Sequence, residues 1–171
     1  LIKEYLLDNN HKSIISLVPE YGLEKETVSM NRELIRLSLE AAEGKALVAA
    51  DITMTGEQLA PMGSMDFETL ISVYKEQITA VADAGADLIV VETMMSLQES
   101  RAALIAAGEV CDLPVMVTMT FESDGKTLYG TDATTAAVVL ESLGACAIGA
   151  NCSTGPDRMM PIISEIADVV S

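Results

Sequence analysis

From Thr27 onward the chain alternates between apolar residues at helical spacing and short unbroken apolar runs. Residues 28–43 carry Val28, Leu34, Ile35, Leu37, Ala41 and Ala42 along one helical stripe, and Gly44 supplies the stop. Residues 46–50 then form a continuous apolar run, as expected of a parallel strand covered on both faces. Asp66 is placed to cap a second helix, whose buried stripe is Phe67, Leu70, Ile71, Tyr74, Ile78, Val81 and Ala82, ended by Gly85. Residues 88–91 are the next strand, and Ser96-Leu97-Gln98-Glu99 has the capping-box pattern that opens a third helix. Asp112-Leu113-Pro114 ends it and leads into a strand over 115–120, followed by the polar turn Glu122-Ser123-Asp124-Gly125-Lys126. A helix near 132–143 stops at Gly144, a strand over 146–150 follows, and Pro156 opens the last helix at its first position.

This rhythm predicts strands near 46–51, 88–92, 115–120 and 147–151, all parallel and adjacent in that order in one curved sheet. A faint repeat supports it: Ala84-Gly85-Ala86, a strand and Glu92-Thr93 mirror Leu143-Gly144-Ala145, a strand and Asn151-Cys152. Repeated βα units give either a (β/α)8 barrel or a doubly wound sheet. No Gly-x-Gly-x-x-Gly turn follows any strand, which disfavours a dinucleotide-binding sheet. Asp51, Glu92, Thr120 and Asn151-Cys152 end four separate strands, and barrel active sites are assembled from such strand ends. Only four or five strands fit into 171 residues, against eight in a closed barrel, so an incomplete barrel is expected.

Composition narrows the partners. A formal charge of −16 repels nucleic acid and anionic membrane surfaces. Three cysteines, Cys111, Cys146 and Cys152, without disulfide-type spacing favour a reducing, cytoplasmic setting. No run approaches the ~20 apolar residues of a membrane span. The first residues lack an initiator Met and the pattern of a signal peptide, the expectation being a piece of a longer chain.

Cys152 holds the most pointed chemistry. The order strand, Asn151, Cys152, Gly155-Pro156, helix puts a thiol at the carboxyl end of a parallel strand. A thiol held there by a rigid scaffold suits a metal ligand or a nucleophile; the alternative is a small apolar cap on the strand. Cys111 precedes a strand and Cys146 opens one, which places both at the opposite end. Cys146 is six residues, or ~20 Å of extended strand, from Cys152. The ten methionines read as core and rim filler.

Four ordered motifs resemble the homocysteine S-methyltransferase family, nearest to the homocysteine-binding barrel of its cobalamin-dependent branch. They are Asp87-Leu88-Ile89-Val90-Val91-Glu92-Thr93-Met94; Leu113-Pro114-Val115-Met116-Val117-Thr118-Met119-Thr120-Phe121; Gly125-Lys126-Thr127-Leu128-Tyr129-Gly130-Thr131; and Gly149-Ala150-Asn151-Cys152-Ser153-Thr154-Gly155-Pro156. Upstream, Tyr21-Gly22-Leu23-Glu24 and Asp51-Ile52-Thr53-Met54-Thr55-Gly56 are also similar, with Thr53-Met54 in place of the family's usual Gly-Pro. Asp8-Asn9-Asn10-His11 falls where the family ends its second strand. His11, the only histidine, reads either as an exposed loop residue or as part of the site.

The resemblance implies a (β/α)8 TIM-barrel fold, present over residues 1–171 as a partial barrel of about strands 2 to 6 with their helices. The family's first strand, with its Asp-Gly, and its last, with Gly-Gly-Cys-Cys, have no counterpart here. It implies zinc-dependent methyl transfer to the thiol of homocysteine, giving methionine. Cys152 corresponds to the first of three zinc-binding cysteines, and the metal converts the substrate thiol to a thiolate. Glu92 matches the carboxylate that holds the substrate ammonium group, its alternative being an ordinary cap or salt bridge. Asn151 and Asp51 line the same rim as candidate substrate contacts. The implied methyl donor is 5-methyltetrahydrofolate by way of cobalamin in a corrinoid-binding domain or protein, and S-methylmethionine or betaine is the alternative. A non-catalytic barrel remnant acting as a binding or assembly module is a reading from a different class.

Overall fold

The computed structural model describes residues 22–171; the expectations for Asp8-Asn9-Asn10, His11 and Tyr21 lie outside the described residues. After a 3-10 turn at Glu24–Glu26, helix and strand alternate. The order is α1 (Thr27–Ala42), β1 (Ala49–Ile52), α2 (Phe67–Asp83), β2 (Leu88–Met94), α3 (Leu97–Val110), β3 (Val115–Met119), α4 (Ala133–Ser142), β4 (Ala147–Ala150) and α5 (Pro156–Ala167). The four strands form one sheet in the order β1-β2-β3-β4 with every neighbouring pair parallel, as the alternating pattern predicts.

The helix starts follow from local chemistry. Asp66 accepts the N–H groups of Glu68 and Thr69, Ser96 that of Glu99, and Asp132 that of Thr135. These bonds hold the Asp66 and Asp132 carboxyls below the usual carboxylate range, Asp66 chiefly through the Thr69 hydroxyl and Asp132 chiefly through the Thr135 N–H. Gly85 and Gly144 close the turns into β2 and β4 with φ of +95° and +91°, a region that costs a residue without Cβ little.

Alternate strand residues face the helices. Ala50, Ile52, Ile89, Val91, Val115, Val117 and Met119 are buried against Tyr74 and Ile78 of α2, the alanines of α3, and Leu140 of α4. Ala102, Ala103, Ala106 and Ala107 leave α3 with a flat buried face, so it can lie close to the sheet. The other face is open: Ala49 and Asp51 are exposed, and Leu88, Val90, Met116, Thr118, Ala147 and Gly149 are half-buried. In a closed barrel this face lines the interior. The fold is therefore a partial barrel, with helices on its outer side.

Two expectations change. The 46–50 run is not a doubly covered strand: β1 starts at Ala49 and alternates exposed and buried. The Val48 N–H is taken by the Asp87 carboxylate at 2.7 Å, and Leu47 is 76% exposed ahead of it. In the helices, Leu37 is exposed and Phe67 and Ala82 are only half-buried, because each lies at the margin of its packed stripe.

Candidate active site

The carboxyl ends of β2, β3 and β4 are stitched together. Along β2, Val91 pairs with Val117 but Met94 pairs with Met119, so Glu92 and Thr93 together stand opposite Thr118. This is a bulge, a device that re-aims side chains beside functional sites. Thr93 has φ +56°, left-handed backbone that a β-branched residue rarely adopts. Its N–H donates to Asn151 Oδ1 at 3.1 Å, and Asn151 Nδ2 donates to Thr93 Oγ1 at 2.7 Å. Because β3 lies between β2 and β4, this reciprocal pair reaches across the end of β3. Thr120 completes the stitch: its N–H donates to the Met94 carbonyl at 2.9 Å and its hydroxyl to the Asn151 carbonyl at 3.1 Å.

Cys152 hangs from this clasp. It is exposed, with φ +61°, and Ser153 follows at +55°. Its sulfur lies 3.4 Å from Asn151 Nδ2 and 3.7 Å from Thr93 Oγ1. The Thr93 N–H fixes which end of the Asn151 amide is oxygen, so the amide nitrogen faces the sulfur. The Thr93 hydroxyl, having accepted from that nitrogen, has its own hydrogen free to point at the sulfur. A thiolate there would meet two donors.

Glu92 shares the open face with Leu88 and Val90 by the alternation of β2, and it is half-buried. Its carboxylate takes no hydrogen bond or ion pair from the described residues, while its backbone carbonyl accepts the Thr53 hydroxyl at 2.8 Å. Asp51 is exposed on the same face, paired in register with Val90, but it lies on the edge strand farthest from Asn151 and Cys152. Of the four residues singled out, Asn151 and Cys152 meet directly, Glu92 is joined to them through its neighbour Thr93, and Asp51 stands apart.

A buried network behind the rim escaped sequence reasoning. Glu99, 6% exposed, accepts the Thr55 N–H at 2.7 Å, the Thr55 hydroxyl at 2.8 Å and the Tyr74 hydroxyl at 3.0 Å. Only half of the expected capping box therefore forms: Ser96 accepts the Glu99 N–H at 3.3 Å, but the Glu99 carboxylate turns inward. Burial, and then the adjacent Glu99 charge, pushes the Tyr74 phenol well above its ordinary pKa, so Tyr74 stays a donor. The Tyr74 hydroxyl also lies 3.2 Å from the Thr53 carbonyl, so the network braces the segment whose hydroxyl holds Glu92.

The other two cysteines are at the far end. Cys111 caps the carboxyl end of α3, and the Cys146 N–H donates to the Val115 carbonyl at the start of β3. Among the described residues no three His, Cys, Asp or Glu side chains converge on a point that could hold a metal ion. One thiol does not meet the three or four ligands that zinc takes, so these residues alone do not build a zinc site. No helix among them is long and apolar enough to cross a membrane.

Comparison with known proteins gives a consistent picture. A family profile described as Homocysteine S-methyltransferase matches residues 10–171. Methionine synthases from Mycobacterium leprae and Mycobacterium tuberculosis are each 32% identical over 109 residues, covering 61% of this chain. The chain spans only 9% of the length of these curated relatives. The homocysteine methyltransferase MmuM from Escherichia coli superposes in its apo form with a TM-score of 0.74 at 18% identity, over 86% of this chain and 58% of that one. Its metallated form gives 0.76 at 17% identity, over 91% and 59%. At such identity the likeness establishes the fold.

Proposed function

The chain belongs to the homocysteine S-methyltransferase family, and on that premise we propose that it forms part of a barrel that binds homocysteine and presents its thiol for methylation to methionine. The observation that carries this reading is the bulge at Glu92-Thr93, which links a half-buried carboxylate with no partner among the described residues to the Cys152 thiol through Asn151. A carboxylate with its acceptor oxygens free on that face can take a charge-assisted hydrogen bond from a cation, and the ammonium group of an amino acid is such a cation. With the ammonium group at Glu92, the substrate sulfur is directed toward Cys152. Asn151 orders the thiol, and Asp51 on the open face is proposed as a second, weaker substrate contact.

Cys152 is proposed as the one ligand that this chain gives to zinc, its partners coming from outside the described residues. When bound, zinc makes a substrate thiol acidic at neutral pH. As methyl donor we propose 5-methyltetrahydrofolate delivered through cobalamin on a corrinoid-binding domain or protein.

The test is calorimetric titration of the full-length protein with homocysteine, paired with an assay of methionine formation. Glu92→Gln removes the charge and keeps the shape. Hydrogen bonds to charged groups contribute about 1.5–3 kcal/mol, so homocysteine binding should weaken roughly 10- to 100-fold. Unchanged affinity in that variant removes Glu92 from the site, and a wild-type protein that ignores homocysteine overturns the proposed function.

A further inference from the structure

We infer that Thr93 is a positioning residue that sets the placement of Cys152 relative to Glu92, an inference that rests on the proposed homocysteine site. Three observations converge on it. The residue sits in the bulge directly after Glu92, so its backbone decides where that carboxylate leaves the strand. It holds φ +56°, which a β-branched side chain tolerates only where the surroundings over-determine it. Two of its polar groups meet one partner: the N–H donates to Asn151 Oδ1 at 3.1 Å, and Oγ1 accepts from Asn151 Nδ2 at 2.7 Å.

The geometry gives the hydroxyl a role that the backbone alone cannot fill. Asn151 Nδ2 lies 3.4 Å from the Cys152 sulfur and Thr93 Oγ1 lies 3.7 Å from it, so amide, hydroxyl and sulfur form a closed triangle. Removing the hydroxyl opens the triangle and leaves the Asn151 amide held through Oδ1 alone, so its nitrogen loses the acceptor that seats it beside the sulfur. Cys152 is on an exposed turn with left-handed backbone and has no other side-chain partner among the described residues, so it would then sample several positions. Thr93 thus fixes from one residue both the exit of Glu92 and the seat of the thiol.

Two substitutions separate the hydroxyl from the rest of the side chain. Thr93→Val keeps the shape and the backbone N–H but loses the triangle; Thr93→Ser keeps the hydroxyl and loses a methyl group. In the full-length protein, Thr93→Val should raise KM for homocysteine about 10-fold with a smaller change in kcat, while Thr93→Ser should stay within about twofold of wild type. A second readout needs neither metal nor turnover: brief labelling of the chelator-stripped full-length protein with methyl methanethiosulfonate, with the ratio of modified Cys152 to modified Cys146 read by peptide mass spectrometry. Cys146 is exposed at the opposite end of the sheet and serves as the internal reference. Thr93→Val should shift that ratio at least threefold, and Thr93→Ser should leave it unchanged. A Thr93→Val protein with wild-type KM or a wild-type labelling ratio overturns the inference, as does a Thr93→Ser protein as impaired as Thr93→Val. Failure of the wild-type protein to bind homocysteine would sink the proposed function alone, because the labelling ratio still decides whether Thr93 seats Cys152.

Discussion

At the amino end of the sheet the chain enters β2 and β4 through Gly85 and Gly144, at φ +95° and +91°; at the carboxyl end it leaves them through Thr93 and Cys152, at +56° and +61°. The backbone is left-handed on both sides of these two strands, yet only their entries use the residue for which that conformation is easy; ahead of β1 a non-glycine residue, Glu43, takes φ +51°. Glycine adopts it at little steric cost, whereas another residue there costs on the order of 1–3 kcal/mol. The entries to β2 and β4 are relaxed, and the amino end carries Cys111 and Cys146, neither of which makes a side-chain hydrogen bond among the described residues. The carboxyl end retains strain on the two strands that carry Glu92 and Cys152, and offsets it with the Thr93–Asn151 pair. That asymmetry supports the proposal that the carboxyl rim of β2 and β4 carries the chemistry.

The sharpest way to break the contrast is to exchange the roles of the cysteines. Cys152→Ser in the full-length protein should abolish zinc retention after dialysis and reduce methionine formation below detection. Cys146→Ser should leave both near wild type. Stoichiometric zinc and normal turnover in Cys152→Ser would erase the distinction between the two ends.

A second comparison sets two carboxylates that each fasten one backbone N–H beside β1. Asp87 takes the Val48 N–H at the amino end and is exposed; Glu99 takes the Thr55 N–H beyond the carboxyl end and is buried. Glu99→Ala would strand the Thr55 N–H, the Thr55 hydroxyl and the Tyr74 hydroxyl, and should cost roughly 3–5 kcal/mol in urea unfolding. Asp87→Ala removes a single bond made by an exposed carboxylate and should cost about 1 kcal/mol. Equal costs would mean that the Glu99 network does not brace the rim.

These two carboxylates also mark what the sequence discloses. The four strands, their order and most helix starts are legible because hydrophobic period, caps and stop glycines are local signals. Ser96-Leu97-Gln98-Glu99 is legible as a helix start for the same reason, yet the destination of the Glu99 side chain is not. Its acceptors' partners lie 44 residues away at Thr55 and 25 away at Tyr74, and only packing brings them together. The site divides likewise. Glu92, Asn151 and Cys152 stand at strand ends that the pattern locates, whereas the bulge is invisible: the predicted strand stops at 91 or 92, and nothing in Glu92-Thr93-Met94 announces that pairing resumes at Met94. Leu47 shows the opposite error, an apolar residue counted into β1 that the Asp87–Val48 bond leaves outside it.

The smallest expected effect tests the strain itself, free of side-chain chemistry. Gly144 has open space around its missing Cβ, so Gly144→Ala adds only the cost of φ +91° for a residue with a Cβ. It should destabilise the protein by about 1 kcal/mol. Ser153 stands at φ +55° on the exposed turn after Cys152. Ser153→Gly relieves the same penalty but frees the unfolded chain, two terms of similar size that nearly cancel, so the change should fall between zero and about 0.5 kcal/mol of stabilisation. Opposite signs, or a loss at Gly144 beside no loss at Ser153, place strain at the carboxyl end and not at the amino end. Should Ser153→Gly destabilise as much as Gly144→Ala, the left-handed turn at Cys152 would be a relaxed one, and the two ends would differ in their residues but not in stored strain.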